Sequence, residues 1–388
     1  MRTMLWAALT RRTTLGVALA VLIVSTATAA PAGGDATFMR SAERAVDVVE
    51  HDDGFSGVIL VAHGDQVLLR KATGFSDRER NIRNTPETKF PIESVTKQFT
   101  AAAIMLLVED GKVSLTDPIS KHYPASPPAW KNVTIKHLLA HSSGMDDYWI
   151  RHPEARGALE RGELFHSYQE IIQIALDDPL LFGPGTKFQY SNEGYALLTA
   201  VVERASGQTF ADFLRARIFA PLTMRNTGYG TIPGNLIRGY VRSREGEWKH
   251  GDAFDFIRTT GGAGGVYSTL DDLLVWGRAL ETDKILTASS RLAMFTDYGF
   301  NYGFGWRFSP KFGRKLIWHT GGGGPEGFAA IFDRFPEEEL TVLVMTNNTG
   351  LTDSTATLMI EGKATTFPAN AARKLVEQIE RLYFGREP

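Results

Sequence analysis

The strongest constraint on the fold is one segment, residues 99–108, whose side chains are apolar on nearly every side of a helix. A helix of this kind cannot lie on a protein surface, so other elements must cover it all round. The chain of 388 residues, 43% of them hydrophobic, supplies enough apolar material for such a core. We therefore expect one large domain, or two closely joined lobes, built around this buried helix.

Segments at the two ends of the chain predict the strands of one antiparallel sheet. Residues 57–62 and 66–69 are apolar and flank Gly64 and Asp65, which is the pattern of a β-hairpin. Near the other end of the chain, Pro336 begins a turn between two apolar segments. The predicted strands of this second group are residues 316–318, 327–332 and 340–345.

Helices are expected at both ends as well. Residues 46–49 belong to a helical pattern, and the last helix, which would cover one face of the sheet, has apolar residues at helical spacing: Ala372, Leu375, Ile379 and Leu382. These features predict an α+β fold (an α/β sandwich), in which an antiparallel sheet is flanked by N- and C-terminal helices and carries a large, mainly helical inserted lobe. The sheet lobe is expected at about residues 38–90 and 300–388, and the helical lobe at about residues 91–299.

Residues 1–30 have the pattern of a secretory signal peptide. Arg2, Arg11 and Arg12 precede an apolar run at residues 15–24, and small residues follow at 27–30. The run is shorter than the ~20 residues of a membrane span, although an uncleaved anchor and twin-arginine export are alternatives. We expect residues 31–388 to form an exported protein, periplasmic or extracellular, without a stable membrane span after signal cleavage.

Composition narrows the possible partners. The formal net charge of -2 gives no broad attraction to nucleic acid or to an anionic membrane. The absence of cysteine excludes disulfides, a thiol nucleophile, thiolate metal sites and a lipid-modified cysteine. A small molecule or a peptide is the expected partner.

Ser94 and Lys97 precede the buried helix and lie three residues apart, on one helix face. The positive end of the helix would stabilise an oxyanion, and a partly desolvated lysine can act as a base near neutral pH. The alternative is a serine that caps the helix beside a solvated lysine, because S-x-x-K is a common pattern. The apolar helix that follows favours catalysis, since a buried helix rarely tolerates an idle lysine.

Two later motifs carry further polar groups. Tyr190, Ser191 and Asn192 follow a Gly-Pro-Gly turn and precede an apolar helix. His319 and Thr320, followed by two glycines, end the predicted strand 316–318.

This order, S-x-x-K, then Y-x-N, then a basic residue with Thr-Gly on a strand, resembles the serine β-lactamase and penicillin-binding protein superfamily. The resemblance is greatest to its class C β-lactamase-like branch, which includes DD-carboxypeptidases, esterases and β-lactamases. Residues 134–144 and 263–269 are typical of that branch, and the resemblance extends from about residue 57 to residue 347. It implies a β-lactamase/transpeptidase-like fold and a secreted serine hydrolase that needs no metal or cofactor.

The resemblance also implies a catalytic role for three side chains. Ser94 would be the acylating nucleophile and Lys97 its proton acceptor or electrostatic partner. Tyr190 would share the acid and base work, with its phenolate form favoured by the ammonium of Lys97.

The remaining residues of the motifs would bind the substrate. Backbone N–H groups of Ser94 and Gly322 would form the oxyanion hole. Asn192 would hold a substrate amide and orient Lys97, and the strand would contribute His319, Thr320 and Gly321.

His319 stands where most β-lactamases have lysine. Histidine is only partly charged at neutral pH, so it would anchor a carboxylate less well as the pH rises above ~6.5. This departure argues against efficient antibiotic destruction. D-amino-acid peptides, amides, esters and β-lactams stay open as ligands, and so does a receptor that binds without turnover.

Three other motifs suggest different chemistry. Residues 140–144 imitate a nucleophile elbow, but they follow a helical pattern rather than a strand. His137 and His141 could bind zinc, although capping and buried hydrogen bonding are favoured. Residues 322–327 match a dinucleotide-binding glycine pattern, but a strand is predicted after them.

The sequence also predicts a helix cap and the loops of the pocket. Ser268 with Asp271 predicts a helix cap. The loops at residues 145–181, with the aromatic pair Tyr148 and Trp149, and at residues 228–260 would shape the substrate pocket.

Overall fold

The structure, a computed structural model, describes residues 35–147, 167–232, 237–242, 247–251, 260–322, 326–349, 351–360 and 363–386. The proposed signal peptide, together with Tyr148 and Trp149, lies outside these residues. No helix in these ranges is both long and apolar enough to cross a membrane.

Helices occur along the whole of the described chain. In chain order they are α1 (Asp35–Asp53), α2 (Lys97–Glu109), α3 (Ile119–His122), α4 (Ile135–Leu139), α5 (Tyr168–Asp177), α6 (Asn192–Ser206), α7 (Phe210–Leu214), α8 (Leu270–Ala279), α9 (Ala288–Met294) and α10 (Ala371–Tyr383). Short 3₁₀ turns include Glu93–Thr96, Pro128–Trp130, Gly261–Ala263 and Pro336–Glu338, and α7 continues into a π-turn, Arg215–Phe219.

Six strands form the main sheet. They are β1 (Gly57–His63), β2 (Gln66–Thr73), β10 (Arg307–Lys311), β11 (Arg314–Gly322), β12 (Ala329–Phe335) and β13 (Leu340–Thr346). The minor strands are β3 (Phe75–Asp77), β4 (Ile82–Arg83), β5 (Phe90–Pro91), β6 (Gly228–Tyr229), β7 (Tyr240–Arg242), β8 (Trp248–His250), β9 (Val266–Ser268), β14 (Leu351–Ile360) and β15 (Lys363–Asn370).

The main sheet joins the two ends of the chain. Its order is β10-β11-β12-β13-β1-β2, and neighbouring strands are antiparallel. Strand β1 pairs with β13 over its whole length, from Gly57 opposite Thr346 to His63 opposite Leu340. The hairpin β1–β2 therefore adds to a sheet whose other four strands come from residues 307–346. The predicted α+β fold is confirmed.

The sheet buries both of its faces, because side chains alternate along each strand. One face carries Ile59 and Val344 and packs on α1 and α10. The other face carries Leu60 and Leu343 and packs on the helices of the inserted region. Two hydrophobic clusters thus sandwich the sheet.

Helix α2 is the centre of the larger cluster. Eleven of its residues, from Lys97 to Leu107, are buried, as its all-round apolar pattern requires. The ring of Phe99 packs 4.6 Å from that of Trp276 and 5.5 Å from that of Phe219, between centroids. The polar Gln98 accepts a hydrogen bond of 3.0 Å from the Trp276 indole. This packing fixes the position of the segment that begins with Ser94.

Two local predictions need correction. The strand expected at residues 327–332 is Ala329–Phe335, because Gly327 has φ +82° and lies in the turn before it. The cap of α8 is Thr269, whose side chain accepts from the backbone N–H of Asp272, and not Ser268 with Asp271. Asp271 instead forms an ion pair with Arg70 at 2.6 Å.

Helix α10 differs from its predicted pattern at one position. Ala372, Leu375 and Ile379 are buried against the sheet, but Leu382 is 39% exposed. The buried stripe continues through Tyr383, which packs edge-on against Phe38 of α1 with ring centroids 5.6 Å apart.

This difference gives a test of how α10 is held. We expect Ile379→Ala to lower the free energy of unfolding by about 2–4 kcal/mol, because it opens a cavity under the sheet. Leu382→Ala is the matched control and should change it by less than about 0.5 kcal/mol. Urea denaturation of both variants measures the difference, and equal losses would contradict the placement of α10.

Candidate active site

Ser94 lies in the 3₁₀ turn Glu93–Thr96, one turn before α2 begins at Lys97. The Ser94 side chain is partly exposed, whereas Lys97 is wholly buried. The spacing of three residues places the two side chains together, and the Lys97 Nζ lies 3.2 Å from the Ser94 Oγ. When Lys97 is neutral, its lone pair can accept the Ser94 proton over this distance.

The Lys97 amine is held by three acceptors from separate parts of the chain. It donates to the Ser94 Oγ, to the Asn192 Oδ1 at 2.8 Å and to the Ala263 carbonyl oxygen at 2.8 Å. These bonds match the three donors of an ammonium group. Burial is nevertheless the largest influence on Lys97 and lowers its pKa to about 7. Lys97 is thus a base poised near neutral pH.

Tyr190 closes the other side of the nucleophile. Its hydroxyl is hydrogen-bonded to Ser94, and its ring centroid lies 4.8 Å from the Lys97 Nζ. Burial raises the pKa of Tyr190 above its usual value, although the bond to Ser94 and the nearby Arg307 act in the opposite direction. The direction of this shift favours the protonated phenol, whereas the sequence analysis expected the phenolate to be favoured, and the share of Tyr190 in the acid and base work stays a prediction.

Asn192 begins α6 and lies behind Lys97. Ser191 caps this helix, since its hydroxyl accepts from the Gly194 N–H at 3.1 Å. The cap fixes the first residue of α6, so the Asn192 carbonyl oxygen can reach Lys97. The amide nitrogen of Asn192 donates to the Asp147 Oδ2 at 2.9 Å.

Strand β11 passes directly beside the nucleophile. Strand β10 pairs with β11 only as far as Trp318. Residues 319–322 of β11 therefore extend beyond the end of β10. A Cβ on Gly321 would lie 2.3 Å from the Ile92 carbonyl oxygen and 2.8 Å from the Ser94 backbone nitrogen. Glycine at this position lets the strand approach the turn closely. Gly322 is next on the strand, exposed, with φ +67°.

Two predicted substrate contacts differ in accessibility. Thr320 is partly exposed, whereas His319 is 1% exposed. The His319 Nδ1–H donates to the Thr320 carbonyl oxygen at 2.7 Å, and its Nε2 accepts from the Tyr302 hydroxyl at 3.0 Å. Burial, Arg307 and Lys97 lower the pKa of His319 well below its usual value. His319 is a neutral residue with both nitrogens engaged, and its direct contact with substrate stays a prediction.

Two residues of the site were not assigned to it from the sequence. The His141 ring lies 4.3 Å from the Tyr190 ring, and its Nδ1 accepts from the Ser191 N–H at 3.1 Å. Arg307 lies over the rings of Tyr190 and Tyr302, 5.4 and 5.5 Å from their centroids. Among the residues with described positions, no carboxylate forms an ion pair with Arg307. In the sequence, Arg307 is marked only by its position in a segment rich in aromatic residues.

The alternative motifs do not form their sites. His137 is part of a capping box with Thr134, and His141 holds Ser191, which confirms the capping and buried hydrogen bonds expected of them. The described ranges contain no group of three or more His, Cys, Asp or Glu side chains placed to bind a metal. The segment 140–144 follows helix α4 instead of a strand, and strand β12 follows Gly327.

Comparison with known proteins shows the family of the chain. The model of the family described as Beta-lactamase matches residues 42–361, most of the chain. The chain belongs to the Beta-lactamase family. The predicted resemblance is thereby confirmed, and the β-lactamase/transpeptidase-like fold with it.

Curated relatives of the chain include two kinds of protein. Penicillin-binding protein 4* of Bacillus subtilis is 29% identical over 325 residues, which cover 76% of this chain and 68% of that protein. The D-aminopeptidase of Brucella ovis is 28% identical over 334 residues, or 82% of this chain. The match spans 61% of the D-aminopeptidase's own length.

Solved structures of the same fold cover nearly the whole chain. The octameric penicillin-binding protein homologue from Pyrococcus abyssi has a TM-score of 0.75 at 26% identity, over 90% of this chain and 78% of its own. The D-amino acid amidase from Ochrobactrum anthropi SV3 has a TM-score of 0.74 at 24% identity, over 89% of this chain and 98% of its own. The amidase comparison shows the shared fold.

Burial of Lys97 predicts a pH-dependent cost in stability. Lys97 has a pKa of about 7 in the folded protein against 10.5 as the reference. As the pH falls from about 10.5 to about 7, the unfolded chain binds a proton that the folded protein does not, so folding becomes less favourable. We therefore expect the melting temperature of Lys97→Met, relative to that of the wild type, to increase as the pH falls from about 10.5 to about 7.

Thermal unfolding at several pH values between 7 and 10.5 would test this expectation. Lys315→Met, at an exposed position of β11, is the control and should show no such trend. A constant difference between Lys97→Met and wild type would contradict the depressed pKa.

Proposed function

We propose that the protein is an exported serine hydrolase that cleaves amide or ester bonds through an acyl-Ser94 intermediate. The observation that carries the proposal is the 3.2 Å contact between the Ser94 hydroxyl and the wholly buried amine of Lys97, whose pKa is about 7. A serine hydroxyl is a poor nucleophile until a base takes its proton. Lys97 can perform this step at neutral pH without a metal or cofactor.

In the first step, the Ser94 oxygen attacks the substrate carbonyl carbon while its proton moves to the Lys97 amine. The carbonyl double bond becomes an oxyanion, which the backbone N–H groups of Ser94 and Gly322 would stabilise. The close approach of Gly321 to the Ser94 backbone supports this assignment, because it places β11 beside the nucleophile.

In the second step, the carbon–nitrogen or carbon–oxygen bond breaks and the leaving group takes a proton. We assign this proton to the Tyr190 hydroxyl, because Tyr190 is protonated and bonded to Ser94. The Lys97 ammonium then reprotonates Tyr190, and water later releases the acyl group by the reverse sequence of proton transfers. His319 is hydrogen-bonded to Tyr302 and would hold it beside the site, and its predicted contact with the substrate is kept as part of the proposal.

The substrate class we propose is a peptide or amide of a D-amino acid. The names of the relatives, D-aminopeptidase and penicillin-binding protein, support this class. Arg307 further favours a substrate with a free carboxylate, since it is a half-buried cation above Tyr190. A DD-carboxypeptidase-type substrate satisfies both conditions, whereas an aminopeptidase-type substrate presents an amine. β-Lactams would acylate the same serine.

Export is part of the proposal. The pattern of residues 1–30 supports a periplasmic or extracellular location.

The nucleophile can be tested directly. Ser94→Ala should lower the hydrolysis of a p-nitrophenyl ester by about a thousandfold or more and abolish labelling by a fluorophosphonate. Ser142→Ala, in the segment that imitates a nucleophile elbow, is the control and should keep both activities. Repeated turnover by the wild type would exclude a receptor that only binds, and unchanged hydrolysis by Ser94→Ala would refute the proposal.

Arg307 provides the test of substrate class. We expect Arg307→Leu to raise KM for a D-Ala-D-Ala peptide by about tenfold or more, because a charge-assisted contact is lost, and to leave a neutral ester nearly unaffected. Arg307 also lowers the Lys97 pKa, so KM is compared on the high-pH plateau of each protein's own rate profile. Equal effects on both substrates would exclude a carboxylate-binding role.

A further inference from the structure

Asp147 is a buried carboxylate that Asn192 separates from Lys97, and the proposed mechanism has not given Asp147 a role. It lies on the segment that follows α4 and His141, and it is 5% exposed. Its Oδ2 accepts a hydrogen bond of 2.9 Å from the amide nitrogen of Asn192. A continuous hydrogen-bonded chain thus runs from Asp147 through Asn192 and Lys97 to Ser94.

The chain has only one consistent direction. An ammonium group donates hydrogen bonds and a carboxylate accepts them, so Lys97 requires the carbonyl end of Asn192 and Asp147 requires the amino end. Rotation of the Asn192 amide by 180° would place two donors face to face at Lys97 and two acceptors face to face at Asp147. Asp147 therefore determines which end of Asn192 faces the base.

Asp147 also exerts the largest charge effect on Lys97. Four charged groups influence the amine: Asp147, Arg307, Glu93 and Glu193, in decreasing order. Arg307 disfavours the ammonium form, and the three carboxylates favour it. Glu93 has a pKa raised well above its usual value by burial, and Glu193 is hydrogen-bonded to the Ser191 hydroxyl at 3.1 Å. Asp147, in addition to its charge effect, accepts a hydrogen bond from Asn192, which in turn accepts one from Lys97.

We propose that Asp147 is a positioning residue for acylation, which locks the Asn192 amide and supplies the negative charge that balances Lys97 against burial and Arg307. The inference rests on the proposed function of Ser94 and Lys97. Asp147 would act through Asn192 and would not touch the substrate.

The two effects predict different changes in different variants. Asp147→Asn removes the charge, so the ammonium form of Lys97 loses a stabilising partner and its pKa falls. The acid limb of the acylation rate should then move to lower pH by about one unit. The new amide can also present its amino end to Asn192, so the plateau rate should fall by about tenfold. Asp147→Glu keeps the charge and displaces the hydrogen bond, and should lower the plateau while the acid limb stays near that of the wild type.

The experiment measures the rate at which a fluorophosphonate acylates Ser94 between pH 5 and pH 10, followed by intact mass. Wild type, Asp147→Asn and Asp147→Glu are compared with Asp146→Asn. Asp146 is the adjacent carboxylate, and it is not among the charged groups with the largest influence on Lys97. Its Oδ1 accepts from the Gln189 side chain at 3.2 Å and from the Asp147 backbone N–H at 2.9 Å, and asparagine keeps this oxygen. The Asp146→Asn profile should match the wild type. Melting temperatures show that each variant is folded.

The outcomes separate this inference from the proposed function. If the wild type is not labelled at Ser94, the proposed function fails. If Ser94 is labelled but Asp147→Asn keeps the wild-type acid limb and plateau, Asp147 is not a positioning residue. A shift of the limb in Asp146→Asn equal to that in Asp147→Asn would also overturn the inference, because the effect would then be general electrostatics of the loop.

Discussion

The burial of one lysine is the interaction on which the rest of the site depends. Lys97 enters the interior at the first turn of α2, and its amine meets acceptors from the turn before α2, from the start of α6 and from the turn at Gly261–Ala263. Each acceptor replaces hydrogen bonds that the ammonium would make with water. The three segments lie far apart in sequence, so the site exists only when the helical region has packed around α2.

Burial also explains how neighbouring groups divide the proton transfers. The same low-polarity surroundings lower the pKa of Lys97, raise that of Tyr190 and keep His319 neutral. An amine and a phenol that would both be protonated in water are thereby separated into a base and an acid at neutral pH. Arg307 lowers the pKa of both groups. It therefore favours the neutral amine of Lys97 and opposes the effect of burial on Tyr190.

Much of the fold was accessible from the sequence because its signals are local. The hairpin, the later strands and the buried helix each follow from an apolar pattern with a turn beside it, and the Ser94–Lys97 contact follows from helical spacing. The state of Tyr190 depends instead on rings that pack around it, including His141, which comes from another part of the chain. The positions of Arg307 and Asp147 likewise arise from tertiary structure, so no local pattern could have assigned them. Leu382 was predicted to be buried from its helical spacing. That spacing alone does not show which residues near the end of α10 face the sheet and α1.

The pairing of β1 with β13 has a consequence for how the chain acquires its structure. Residues near position 60 find their hydrogen-bonding partners near position 343, so closing the central sheet requires a very long loop to be ordered. A partial chain emerging from a ribosome would hold its first hairpin with one side unpaired until residues 340–346 arrive. Long-range pairing of this kind is expected late in folding, and until then the unpaired strand edge is open to pairing with other chains.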